Sequence, residues 1–87
     1  MVYRDVVVCN QVGLHSNPAS VFTAKASEYK SSVWIERQEV RANAKSLLNV
    51  LSLGVFKDME IRVITEGPDE KEALEGVCSL LSSELFE

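Results

Sequence analysis

The sequence predicts an α+β fold: an open-faced two-layer sandwich in the order β-α-β-β-α-β-α, with a four-stranded antiparallel sheet and three helices on one face. Three observations lead there. Short blocks rich in β-branched residues alternate with stretches whose apolar residues recur at helical spacing. Gly, Pro or Asn stands at most of the joints. The chain has 87 residues, and a chain this short buries only about 60% of its unfolded surface, enough for one core. All three helices must therefore lay their apolar stripes on the same sheet face, and residues 1–87 read as a single domain.

Val2 to Cys9 is rich in valine and reads as the first strand. Asn10 to Gly13 is a loop. Pro18 suits a first helical turn, where its missing N–H has no partner to lose. Ala19, Phe22, Ala26 and Tyr29 follow at helical spacing, which predicts an amphipathic helix over residues 17–28. Ser32 to Arg37 reads as the second strand and Glu39 to Asn43 as the third, joined by a tight turn near Gln38. Ser46 opens a short helix with Leu47, Val50 and Leu51 on one face and Leu48 off it, and Gly54 ends it. Glu60 to Glu66 reads as the fourth strand, and Gly67-Pro68 breaks it. Asp69 followed by Glu72 fits the acidic form of a capping box. Leu74, Val77, Cys78, Leu81 and Leu85 form the stripe of the last helix. Trp34 fits either face of the sheet.

Thirteen acidic against nine basic residues leave a net charge of −4, the wrong sign for direct nucleic-acid binding. Arg4 and Asp5 interrupt the first apolar stretch, which argues against a signal peptide. The longest uncharged apolar-rich run, Ser46 to Phe56, falls short of the ~20 residues a membrane span requires. Cys9 and Cys78 stand in no metal-ligand spacing and read as buried free thiols. With no glycine-rich phosphate loop and no metal-ligand cluster in the sequence, neither cofactor nor metal is expected. The expected location is the cytoplasm, without membrane insertion.

His15, the one histidine, lies in Gly13-Leu14-His15-Ser16-Asn17-Pro18-Ala19-Ser20. As a residue alone it reads either as a surface or capping histidine or as a nucleophile for covalent transfer. Its neighbours favour the second reading. Gly13 permits close backbone approach. The unpaired amides of the helix that Pro18 opens can hold an anion, which the helix dipole favours by ~0.5–1 kcal/mol. Only the neutral ring can attack, so activity should fall as the imidazole protonates in acid. Ser46 has two readings as well, an N-cap or a phosphorylation site whose added charge a helix N-terminus tolerates. Leu47, Leu48 and Leu51 form more apolar surface than one buried face of a short helix needs, so core and docking patch both remain open. The acidic run Glu66, Asp69, Glu70, Glu72 and Glu75 reads as a solvated helix start.

These motifs resemble a known family. Gly13 to Ser16 and Pro18 to Ser20 are similar to the active-site motif of HPr, the histidine phosphocarrier of the bacterial phosphotransferase system. Asn43-Ala44-Lys45-Ser46-Leu47 resembles the family's second motif, around its regulatory serine. Glu66-Gly67 and the acidic stretch to Leu74 match the start of its last helix. The resemblance spans essentially the whole chain. It implies that His15 is the phosphoacceptor, taking the group from enzyme I on Nδ1 and passing it to IIA domains of sugar permeases. It makes Ser16 and Asn17 the phosphate-binding residues, Ser46 a site of regulatory phosphorylation, and Ser20, Leu47, Leu48 and Leu51 the partner-binding surface. In many Gram-positive relatives an HPr kinase modifies the matching serine, and the product binds a catabolite-control transcription factor. Such a protein is a carrier rather than a turnover enzyme.

One position departs from the family, which has arginine where this chain has Asn17. A neutral amide replaces a guanidinium that would pair with phosphate or with acidic partners, a loss of ~1–3 kcal/mol. Lys25 and Lys45 are the basic residues nearest the motifs in sequence. Asn17 supports a rival reading: a regulatory paralogue that binds a transcription factor or a nitrogen-branch target, with little part in sugar transport. A small ligand-binding module or an acylphosphatase-type hydrolase is a third class. It predicts a pocket away from His15 or an arginine in a phosphate loop.

Overall fold

A computed structural model describes residues 1–83. Its elements are β1 (Val2–Val7), α1 (Ser16–Ser27), β2 (Ser32–Arg37), β3 (Val40–Asn43), α2 (Leu47–Ser52), β4 (Glu60–Glu66) and α3 (Glu70–Leu81). The strands form one antiparallel sheet in the order β1-β4-β2-β3. The element order and the α+β open sandwich are those the sequence predicts.

The helices build the second layer. α3 lies over β1 and β4, α2 over β3, and α1 packs against α3 and α2. The core lies between the layers, with Val6, Phe22, Ile35, Val50, Val63 and Val77 among its buried members. Gly76 makes α1 and α3 fit, because a Cβ there would strike the Tyr29 ring.

Trp34 lies on the outer face. Its cross-strand neighbour in β4 is Ile64, and Ile64 in turn faces Tyr3 in β1. Cations complete this row. The Arg62 guanidinium is 4.3 Å from the Tyr3 ring centroid and bonds Asp5 at 2.8 Å. Arg41 is 5.6 Å from the Trp34 ring and pairs with Glu36.

Local details differ from expectation for physical reasons. β1 ends at Val7, although Val8 remains tied to the neighbouring loop through bonds to Met59 and Asp58. Cys9 is half-buried beyond the ladder, so only Cys78 is a buried thiol, and burial pushes it up to about 11. Glu39 is not in the third strand. With Gln38 it forms a two-residue turn, φ 51° and 67°, closed by the Arg37–Val40 pair. Positive φ at both central positions is what a hairpin with twisted strands demands.

The Asp69–Glu72 capping box does not form. Asp69 is the N-cap residue of α3 but makes no side-chain cap bond. Its carboxylate instead accepts from the Lys30 amide at 3.0 Å, the Ser31 amide at 2.9 Å and the Ser31 hydroxyl at 2.5 Å. Those donors lie on the chain entering β2, so the side chain joins two segments rather than closing its own helix. The expected helix position Leu85 lies outside the described residues.

Candidate functional site

His15 is the N-cap residue of α1, in extended backbone with φ −130° and ψ 160°, and its side chain makes no cap bond among the described residues. The ring is therefore free for other work at the mouth of the helix. The amides of Ser16 and Asn17 have no intrahelical acceptor, and Pro18 has no N–H to leave unpaired. The first turn of α1 carries no acidic side chain, so nothing there repels an anion. Asn17 and Ser20 are exposed, and the Ser16 side chain lies outside the described residues.

The loop before His15 is fastened from beneath. Asn10 is fully buried and donates from Nδ2 to the Gly13 carbonyl at 2.6 Å, while the Gly13 amide donates to the Asn10 carbonyl at 3.3 Å. Gly13 has φ +67°, and a Cβ there would sit 2.6 Å from Phe56 Cα. Leu14 is fully buried and donates its amide to the Val55 carbonyl at 2.9 Å. The segment Gly13–His15 thus lies against Val55–Phe56.

That contact brings Phe56 to the histidine. The two ring centroids are 4.5 Å apart, tilted by 35°. His15 Nε2 is buried and finds no hydrogen-bond partner among the described residues. Sequence reasoning missed both Asn10 and Phe56. An asparagine three residues before a loop glycine is a signal of side-chain-to-backbone bonding. Phe56 leaves none, because its neighbour is set by tertiary packing.

The second motif lies at the start of α2. Ser46 is the N-cap residue, and its hydroxyl accepts from the Asn49 amide at 3.4 Å and from Asn49 Nδ2 at 3.1 Å. Val50 alone among the residues of α2 is fully buried. Leu51 is half-buried against the core, whereas Leu47 is 40% and Leu48 78% exposed. Leu47 therefore faces solvent rather than sharing the buried stripe with Val50.

Lys25 and Lys45 do not approach His15. Lys25 lies ten residues further along, about 15 Å at the helical rise, where it pairs with Glu28 and sits over Tyr29. Lys45 donates from Nζ to the Tyr29 carbonyl at 2.8 Å, past the same far end of α1.

A concavity of about 350 Å³ is lined by Gly67 to Glu72. Its lining is one short run of chain bearing three carboxylates against Lys71, a poor receptacle for an anionic substrate. Among the described residues no group of three or more His, Cys, Asp or Glu could hold a metal ion. No helix there is long and apolar enough to cross a membrane.

Residues 2–83 match the family model described as the PTS HPr component phosphorylation site. The chain belongs to the HPr family. It is 33% identical over 82 residues to the phosphocarrier protein HPr of Neisseria meningitidis, covering 94% of this chain and 92% of that one. It is 36% identical over 84 residues to the HPr-like protein Crh of Halalkalibacterium halodurans, covering 97% and 100%. The crystal structure of HPr-C-His from Thermoanaerobacter tengcongensis superposes with a TM-score of 0.95 at 34% identity, covering 100% and 98%. HPr proteins are phosphocarriers of the phosphotransferase system, not enzymes that turn over a substrate, and their partners are proteins of that system.

Proposed function

We propose that this HPr-family chain, as a single domain over residues 1–87, carries a phosphoryl group on His15 from phospho-enzyme I to IIA domains of sugar permeases in the cytoplasm. The observation that carries the reading is the place of His15: its ring stands at the open N-terminus of α1, on a loop that Asn10 and Val55 hold rigid. Nε2 is buried, which leaves Nδ1 as the nucleophile. The Nδ1 lone pair forms the new P–N bond as the donor's P–N bond breaks, and that electron pair stays on the donor nitrogen. The transferred group then lies toward the amides of Ser16 and Asn17, where the helix dipole favours its negative charge. Transfer onward is the same step reversed.

The partner surface in this reading comprises Ser20 on α1 and Leu47 and Leu48 on α2, with Leu51 contributing from its half-buried position. Exposed apolar side chains such as Leu47 and Leu48 can form the apolar centre of a protein-binding patch. Phosphorylation of Ser46 by an HPr kinase would place a dianion at the start of α2, beside this surface, and so regulate transfer or recruit a catabolite-control transcription factor.

Incubation with phosphoenolpyruvate and enzyme I tests the carrier reading. A mass gain of ~80 Da, one phosphoryl group, is expected on the wild-type protein and absent from His15→Ala. No gain on wild type, or equal labelling of the variant, sinks it. The similarity to an HPr-like Crh protein and the neutral Asn17 favour a second reading, a regulatory paralogue acting by protein binding. That reading predicts normal binding to a regulatory partner by His15→Ala.

A further inference from the structure

The outer face of the sheet carries two cross-strand rows. In one, Tyr3, Ile64, Trp34 and Asn43 stand side by side from β1 to β3. In the other, Asp5, Arg62, Glu36 and Arg41 do the same. Charge alternates along this second row, negative, positive, negative, positive, and cancels within it. The helices cover the opposite face, which bears Val6, Ile35 and Val63. On the outer face Tyr3 is 59% exposed, and the four charged side chains are between 28% and 46% exposed.

The charged row keeps bonding capacity after its pairs within the chain are made. Arg62 donates from Nε and Nη2 to the two oxygens of Asp5, at 2.8 and 3.3 Å. Arg41 donates from Nε and Nη2 to a single oxygen of Glu36, at 3.4 and 3.3 Å. A guanidinium has further donors and a carboxylate further lone pairs. Each arginine also lies over a ring of the first row, Tyr3 or Trp34, which fixes the place of its charge on the surface.

We propose that this face pairs with the same face of a second copy of the chain. The charge order carries the proposal, because it is self-complementary. A two-fold axis running along the strands between β4 and β2 lays one sheet on the other with the strands aligned, a standard packing of two sheets. It brings β1 over the partner's β3 and β4 over the partner's β2. Asp5 then meets the partner's Arg41, and Arg62 meets the partner's Glu36. Both contacts occur twice by symmetry. Ile64 meets the partner's Trp34, Tyr3 meets the partner's Asn43, and Glu66 at the end of β4 meets the partner's Ser32. An axis through the same row but across the strands would set each charge on its own copy. Like charges repel, so the row selects the first arrangement. Packed sheets lie about 10 Å apart, a gap that an arginine and a carboxylate span together. The face is only four strands wide, so the association is weak and salt-sensitive. It leaves His15, α1 and α2 on the uncovered side.

Sedimentation equilibrium tests this, from about 10 µM to about 1 mM chain, a range suited to a weak interface. The samples are wild type, Arg62→Glu, Glu36→Arg and an equimolar mixture of the two variants, with thermal unfolding confirming that each is folded. In Arg62→Glu the facing positions are both acidic, and in Glu36→Arg both are basic. In the mixture acid faces base at both contacts, a rescue that pairing within one chain cannot supply. The expected result is a mean mass that climbs toward the dimer in wild type and falls back as salt rises. It stays at the monomer in each variant alone and climbs again in the mixture. If either variant does not fold, Asp5→Arg and Arg41→Glu make the same comparison at the contact between β1 and the partner's β3. Single variants that associate as wild type does, or a mixture that stays monomeric, overturn the proposal. A wild type that stays monomeric throughout also overturns it, and leaves the face to a partner of different chemistry.

Discussion

The Asn10 side-chain amide donates to the Gly13 carbonyl at 2.6 Å, with Asn10 fully buried. This bond closes the loop that delivers His15. Replacing Asn10 with alanine leaves the carbonyl without its donor and opens a small void. The expected loss is about 1–3 kcal/mol, the cost of an unsatisfied buried group. Denaturant midpoints measure it, and phosphorylation by enzyme I should slow in the same variant while it is still folded. An unchanged midpoint would mean the loop is held by its backbone bonds, Gly13 to Asn10 and Leu14 to Val55.

Asn17→Arg adds a positive charge that this chain lacks beside the histidine. If docking or phosphate binding is limited by that absence, transfer should quicken. The gain should shrink as salt rises, because exposed charges are screened. Lys25 and Lys45 cannot substitute, since both are engaged at the far end of α1. A rate identical to wild type at low salt would show that Asn17 suits this chain's own partners.

Ser46→Ala removes the N-cap oxygen that accepts from Asn49. The expected cost is ~1 kcal/mol, read by thermal unfolding. Ser46→Asp keeps an acceptor and adds a charge of favourable sign, so it should recover most of that stability. Equal losses in the two variants would dispute the cap.

Asp69 is held at about 2, against an ordinary 3.8, first by the Ser31 hydroxyl and next by the Lys30 amide. A carboxylate depressed by folding contributes stability that is complete above the unfolded value and lost as pH falls through the folded one. Ser31→Ala should raise Asp69 toward its ordinary value and lower stability at neutral pH. The gap between wild type and variant should then narrow as pH falls from 3.8 toward 2. A gap of constant size would assign the effect to packing at Ser31 rather than to the carboxylate.

Glu39 occupies φ 67° in the β2–β3 turn. A side chain in this region costs roughly 1–2 kcal/mol, partly offset for glycine by its greater freedom in the unfolded chain. Glu39→Gly should therefore stabilise the protein by about 0.5–1 kcal/mol, seen as a higher melting temperature. Destabilisation would indicate that the Glu39 side chain has a role of its own.

Much of this molecule was legible in the residues. The helical stripes through Phe22 and Val77, the N-cap Ser46 and the C-terminal Gly54 are local signals, and each acts where it was expected. Asp69 misled because a carboxylate before a helix suits its own cap as well as any donor nearby, and only the fold brings Lys30 and Ser31 to it. Glu39 misled because nothing in Gln-Glu marks a turn of positive φ. Strand pairing imposed it.

The sequence by itself determined the order of elements, the single core and the octapeptide around His15, because spacing, turn residues and side-chain chemistry are properties of short stretches. Tertiary structure decided the rest. It set Phe56 on the imidazole, Leu47 and Leu48 outward and Lys45 against the far end of α1. The physical reason is that these relations join segments up to about forty residues apart. Closing such loops costs entropy that only the whole packed core repays.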